Sequence, residues 1–286
     1  MVGKPAVRTS PASLFPLTLC LALFLALLGG CQSPRVFDPA AGVPFELRDG
    51  LIRVEVDAGR KVLHFMVDTG AGSTVLNQAT ARRLHLRHGE TVPVYGVRAV
   101  GEAYRVSGFR ASVAGVPLRP DLYALPLRRP RGAEKEPLDG LIGQDFFAGR
   151  IVEIDYAARR IHLRSTPPAV GRGSVLPMRR MHDTLCIPVS VNGLPPQWTR
   201  LDTGCLTPLE WSGPVAASGA EKPRLPVRRD AVADVRLGSQ THERVLIGLH
   251  PKAIFADEAG LLGSGLLTRY RRVTIDSRGM KLYLEP

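Results

Sequence analysis

The triplet Asp-Thr-Gly occurs twice in this chain, at Asp68-Thr69-Gly70 and Asp202-Thr203-Gly204, and each copy is followed by a second shared motif. This repetition constrains the fold more than any other feature, because a unit written twice in one chain is expected to fold twice. The first copy reads Leu51-Ile52-Arg53-Val54-Glu55-Val56, then the turn Asp57-Ala58-Gly59-Arg60, then a run ending at Asp68. The second reads Leu185-Cys186-Ile187-Pro188-Val189-Ser190-Val191, then Asn192-Gly193, then a run ending at Asp202. Alternation around a glycine-containing turn predicts a β-hairpin in each copy. Further on, Asp139-Gly140-Leu141-Ile142-Gly143-Gln144-Asp145-Phe146-Phe147 corresponds to Ala259-Gly260-Leu261-Leu262-Gly263-Ser264-Gly265-Leu266-Leu267, and each leads into two strand-like runs. The triplets lie 134 residues apart and Gly143 and Gly263 lie 120 apart, so the second copy is about 14 residues shorter between its motifs.

Short alternating runs, 29 glycines, 24 prolines and few long helical periodicities predict a mainly β chain. Short helices are expected at Gln78 to Leu84 and around Gln144 to Phe147. The stretch from Ser165 to Arg180, with Pro167-Pro168, reads as an inter-lobe linker. The expected division is a signal segment over 1–30, a tether over 31–45, a first lobe over 46–164, a linker over 165–180 and a second lobe over 181–286.

Two carboxylates brought face to face can share one proton and activate a water between them. Asp68 and Asp202 are the candidates. Crowding them raises one apparent pKa, since both cannot ionise cheaply at contact distance. The ionised partner then serves as a general base and the protonated one as a donor to a carbonyl oxygen. Thr69 and Thr203 are placed to hydrogen-bond across the interface between copies. Gly70 and Gly204 permit a tight turn and offer N–H groups to the carboxylates. The pairs Leu141-Ile142 and Leu261-Leu262 are expected to thread beneath the loops and lock them by packing.

Val67-Asp68-Thr69-Gly70-Ala71-Gly72-Ser73-Thr74-Val75-Leu76 resembles the active-site strand and loop of retroviral proteases, and Leu261-Leu262-Gly263-Ser264-Gly265-Leu266-Leu267-Thr268 resembles their hydrophobic-hydrophobic-glycine motif and following helix. Together with the pepsin-like enzymes, this resemblance covers roughly residues 46 to 285. It implies a bilobal aspartic-protease fold of two tandem retropepsin-like β-barrel lobes, an aspartic endopeptidase activity and an extended polypeptide substrate. No metal or organic cofactor is implied. Two copies in one chain imply a monomer with intramolecular lobe pairing. The resemblance is weaker in the second copy, where Cys205-Leu206-Thr207-Pro208 departs from the usual continuation. In pepsin-like enzymes a hydroxyl follows the triplet and keeps the pair acidic. Ala71 has no donor and Cys205 a weak one, which implies a mildly acidic or neutral optimum. Val94 to Tyr104 reads as a hairpin with glycines near its tip, and Tyr95-Gly96 resembles the pepsin-like flap, with an ordinary surface hairpin as the other reading. The missing residues of the second copy fall where its own flap would be, so a single flap is expected. The rival function is a catalytically inactive peptide-binding lipoprotein of the same fold, gripping its partner by strand addition.

The chain begins with Lys4 and Arg8, an apolar run from Leu14 to Leu28, and Gly29-Gly30-Cys31. The run is short for a membrane span and reads as a signal peptide. Leu28-Gly29-Gly30-Cys31 resembles the lipobox of bacterial lipoproteins, which implies cleavage before Cys31, lipid attachment there and a periplasm-facing envelope location. Gln32 favours the outer membrane. Ordinary cleavage with Cys31 as a spare thiol is the other reading. Cleavage would leave 256 residues and take the formal charge from +12 to +10. That charge fits a solvated basic surface, or attraction to anionic envelope surfaces or acidic substrates; the basic residues are scattered rather than interleaved with aromatics, so nucleic acid is not an expected partner. Cys186 and Cys205 remain as an even pair, either a disulfide or two buried thiols. The seven histidines show no metal-ligand spacing.

Overall fold

The structure, a computed structural model, describes residues 41–95, 100–113, 115–127, 138–169, 171, 173–214 and 229–286. In the first half the strands are β1 (Val43–Arg48), β2 (Leu51–Asp57), β3 (Val62–Val67), β4 (Val75–Asn77), β5 (Arg87–Tyr95), β6 (Val100–Ser107), β7 (Ser112–Val113), β8 (Val116–Pro117), β9 (Leu122–Leu125), β10 (Gly140–Ile142), β11 (Ile151–Asp155) and β12 (Arg160–Arg164). The second half carries β13 (Ser174–Pro177), β14 (Arg179–Met181), β15 (Thr184–Val191), β16 (Gln197–Asp202), β17 (Leu209–Trp211), β18 (Arg229–Leu237), β19 (Gln240–Leu249), β20 (Gly260–Gly263), β21 (Arg272–Asp276) and β22 (Lys281–Glu285). Three short helices complete the described residues: α1 (Gln78–Arg83), α2 (Gln144–Phe147) and α3 (Ser264–Leu267). The chain is mainly β, as expected, and α1 and α2 fall where short helices were expected.

The repeat is visible in strand pairing. In the first half β3 runs parallel to β10, β10 antiparallel to β4, and β4 parallel to β9. In the second, β16 runs parallel to β20, β20 antiparallel to β17, and β17 parallel to β19. The order β15-β16-β20-β17-β19-β18 closes on itself through pairing of β15 with β18, which leaves no edge open in that ring. Both halves then contribute to one antiparallel layer, in the order β13-β22-β21-β11-β12-β1. Its centre is the β11–β21 pair, with Ile154 opposite Val273.

Local chemistry explains the turns that set this register. Asn192 and Gly193 both take positive φ, 50° and 74°, and the Leu194 N–H returns to the Val191 carbonyl at 3.1 Å. Two left-handed residues in succession are the twist a tight turn between antiparallel strands requires, and Asn-Gly adopts it at least cost. Inward alternation then builds the core. Phe65, Leu76 and Ile142 in the first half and Leu201, Leu209 and Leu262 in the second are almost wholly buried. Each such side chain contributes about 1.5–3 kcal/mol on leaving water.

Two expected boundaries differ. The stretch read as a linker over 165–180 contains β13 and the start of β14, and β13 pairs with β22 along its full length. Its alternation, with Ser174 and Leu176 inward, was concealed by the glycines and prolines around it. The stretch read as a tether reaches into β1, where Val43 pairs with Ile161 and Phe45 with Val54. The signal segment and Cys31 lie outside the described residues.

Candidate active site

Asp68 follows the last residue of β3, and Asp202 ends β16. Each is held by the crossing strand beneath it. The Asp68 N–H donates to the Ile142 carbonyl at 2.9 Å, and Asp202 pairs with Gly263. Gly143 and Gly263 pass so close under the loops that an added Cβ would lie 2.2 Å from the Ser73 carbonyl carbon and 2.1 Å from the Thr207 oxygen. No larger residue fits there without displacing a loop backbone. Of the pairs expected to lock the loops, Ile142 and Leu262 are buried beneath, whereas Leu141 and Leu261 line the cavity.

The two threonines cross over. The Thr69 N–H donates to Thr203 Oγ1 at 3.1 Å, and the Thr203 N–H to Thr69 Oγ1 at 3.0 Å. Thr69 Oγ1 donates onward to the Leu201 carbonyl at 2.7 Å and Thr203 Oγ1 to the Val67 carbonyl at 2.8 Å. Each buried hydroxyl thereby accepts one hydrogen bond from the other loop and donates one to it, which fixes the loops as one unit. Helices α2 and α3 brace the same two residues from behind: Gln144 Nε2 donates to the Thr69 carbonyl at 3.0 Å and Ser264 Oγ to the Thr203 carbonyl at 2.7 Å.

This clamp brings Asp68 and Asp202 into a shared side-chain hydrogen bond. Asp68 Oδ1 accepts the N–H of Gly70 at 3.0 Å and of Ala71 at 3.1 Å, and Asp202 Oδ1 accepts that of Gly204 at 2.9 Å. The glycines also lie over the opposite carboxyl group. A Cβ on Gly70 would sit 2.4 Å from Asp202 Cγ, and one on Gly204 2.6 Å from Asp68 Cγ. Burial raises Asp68 above the ordinary carboxyl range, offset in part by the hydrogen bond from Asp202 and by the Gly70 and Ala71 amides. Burial raises Asp202 further, and the negative charge of Asp68 adds to it. Two carboxyl groups this close favour holding one proton between them.

A cavity of about 480 Å³ opens over the pair. Leucine and methionine side chains, among them Leu51, Met66, Leu138 and Leu141, supply half of its lining residues, and Glu210 and His250 supply a polar spot with Nε2 2.5 Å from the carboxylate. An apolar trough with a few convergent polar groups is the usual form of a small-molecule or peptide site.

Several residues at the site were not singled out from the sequence. Arg200, in β16 two residues before Asp202, makes a two-pronged ion pair with Glu258 at 2.7 and 2.6 Å and donates from Nη1 to the Gly70 carbonyl of the other loop at 3.1 Å. Phe255 lies under its guanidinium at 3.5 Å. Gln144, Ser264, Glu210 and His250 were missed as well. Aligning the two copies residue by residue would have exposed Arg200, since the same position in the first copy is Met66.

Of the remaining expectations, Tyr95 ends β5 opposite Val100 of β6, so the hairpin forms, while Gly96 lies outside the described residues. The corresponding stretch of the second half falls largely in 215–228, also outside them. Cys186 and Cys205 are free thiols rather than a disulfide. Cys186 points into the core of β15 opposite Arg200, whereas Cys205 lies beyond the end of β16 with its thiol toward the Thr207 carbonyl at 3.8 Å. Burial pushes both thiols up to about 12.

No curated protein matches the chain. Residues 52–146, which carry Asp68, its loop and the strand beneath it, match the family described as aspartyl protease, so this segment is similar to an aspartic peptidase domain.

Proposed function

We propose that the protein is an aspartic endopeptidase in which Asp68 and Asp202 act on one water and one peptide bond. The observation that carries this reading is the hydrogen-bonded carboxyl pair at the floor of an apolar cavity, held by two loops that clamp each other symmetrically. The ionised carboxylate takes a proton from the water as it attacks the scissile carbonyl carbon. The protonated one donates to the carbonyl oxygen, and the resulting tetrahedral adduct collapses with transfer of a proton to the leaving amine. Thr69, Gly70, Thr203 and Gly204 keep the two oxygens in register, and an extended peptide lying in the trough meets both at once. Tyr95 and Gly96, which resemble the pepsin-like flap in sequence, are proposed to cover the bound peptide. Because burial raises both carboxyls, the reading favours an optimum above the strongly acidic range.

The N-terminal sequence supports action in the bacterial cell envelope, anchored through lipid on Cys31 and facing the periplasm. The test is cleavage of a broad peptide library by the mature protein and by Asp68→Asn and Asp202→Asn variants. Each variant is expected to lose about 10³-fold in kcat while remaining folded. Full activity in Asp202→Asn would sink the single-chain pair. A wild type that binds peptides and cleaves none would favour a peptide-binding module instead. A pH-rate profile peaking below about pH 3 would contradict the expected optimum.

A further inference from the structure

The two halves differ at one buried spot beside the carboxyl pair. Parallel pairing sets Met66 opposite Leu141 in the first half and Arg200 opposite Leu261 in the second, so Met66 and Arg200 are equivalent positions. Three residues before those leucines stand Leu138 and Glu258. An apolar pair that lines the cavity in the first half is therefore an ion pair in the second, with Arg200 5% and Glu258 3% exposed. A buried ion pair is often no more stabilising than an apolar pair of similar volume, so stability does not account for the exchange.

The fork of Arg200 has a donor to spare, and its target is informative. Nη1 donates to the carbonyl oxygen of Gly70. That carbonyl belongs to the same peptide group as the Ala71 N–H, which donates to Asp68 Oδ1. The group is planar and trans, so its C=O and N–H point to opposite sides. A guanidinium at one end and a carboxylate at the other bracket a single amide, and positive charge at the oxygen polarises the N–H toward Asp68. Asp68 thus accepts two backbone N–H groups, one of them strengthened, and Asp202 accepts one among the described residues. Met66 has no donor with which to return the favour to the other loop.

We propose that Arg200 is a positioning residue that, through the Gly70–Ala71 amide, reserves Asp68 for the ionised, water-activating role and leaves the shared proton on Asp202. The assignment rests on the peptidase reading for its catalytic meaning, though not for its electrostatics. Glu258 and the face of Phe255 hold the guanidinium from outside the loops, and among the described residues the other charged or titratable groups facing the pair are Glu210 with His250 and the thiol of Cys205, all on the second half. The charge of Arg200 lowers both carboxyls, against the burial that raises them.

The test uses the mature chain and the double variant Arg200→Met with Glu258→Leu, which gives the second half the apolar pair of the first and leaves no orphaned charge. Two readouts are taken: the pH profile of kcat/KM, and the titration of the two carboxyl carbons by NMR on protein labelled at aspartate. The acid limb is expected to rise by about one pH unit and the basic limb by less, with KM within about twofold of wild type. Arg200→Lys, which keeps a charge and a donor, is expected to restore most of the acid limb. Limbs that stay in place while kcat falls uniformly would overturn the proposal, and so would limbs that rise equally, which would mean charge acting through space alone. A wild type in which Asp202 ionises before Asp68 would also overturn it. Should the wild type cleave no peptide, the hydrolytic reading is what fails, and the NMR titration still decides the assignment of Arg200.

Discussion

The first and second halves hold equivalent aspartates on equivalent strands, yet they surround them with different chemistry. In the first half the polar work is done behind the loop. Asp139 accepts from the His64 N–H, Thr80 Oγ1 and Arg83 Nη2, and Asp145 from both the N–H and the hydroxyl of Thr74. The wall toward the cavity is left to Met66 and Leu138. In the second half the position of Asp139 is Ala259 and that of Asp145 is Gly265, and the ionic groups have moved forward to Arg200 with Glu258. What is common to both is the backbone path and the threonine exchange. The comparison teaches that the clamp is what the architecture demands, while the ion pairs around it are free to move and so to make the two carboxyls unlike.

If the clamp is symmetric, disturbing either side of it should cost the same. Gly204→Ala and Gly70→Ala each drive a Cβ into the opposite carboxyl group, and a misplacement of that order is expected to cost about 10²-fold in kcat for both. Steady-state kinetics on the two variants would show unequal losses if one loop yields more readily. Next in size, Thr69→Val and Thr203→Val each strand a buried N–H and a buried carbonyl of the other loop. Urea titration should register roughly 2–5 kcal/mol for each, and a difference between them would break the symmetry.

The carboxyls themselves should differ in how they answer pH. A group raised on folding, as Asp202 is, binds its proton more tightly in the native state than in the unfolded one. Its contribution is therefore full below the unfolded carboxyl value near 4 and is lost as pH rises through the folded value. Asp202→Asn is expected to gain in Tm over wild type from about pH 4 upward, and to gain more than Asp68→Asn, whose rise is smaller. Equal gains would mean that the pair is electrostatically even. The smallest effect concerns the thiols. With Cys186 and Cys205 pushed up to about 12, neither is a thiolate near neutrality, so reductant should leave Tm unchanged and alkylation of the native protein should be slow. Rapid labelling of Cys205 alone would show the second loop opening.

Much of the backbone was legible because it rests on local signals. The triplets, the crossing Leu-Ile-Gly and Leu-Leu-Gly segments and the Asn192-Gly193 turn each announce a conformation within a few residues. The strand of the supposed linker was not, since Ser174 to Pro177 is too short to show alternation and gains its meaning only against β22, more than a hundred residues on. The partners of the site fared likewise. Arg200 finds Glu258 58 residues away and Gly70 130 away, and His250 finds Glu210 across 40. Such pairs have no local pattern, and only the contrast with Met66 and Leu138 in the other copy carries a trace of them.

The antiparallel layer shared by both halves has a kinetic consequence. Because β11 and β21 pair side by side and β12 and β22 flank them on one connected backbone, the meeting of Asp68 with Asp202 is a unimolecular event. Its effective concentration is set by chain connectivity rather than by how much protein is present. A carboxyl pair assembled from separate molecules would fall apart on dilution; this one should keep the same turnover per molecule at any dilution that leaves the chain folded.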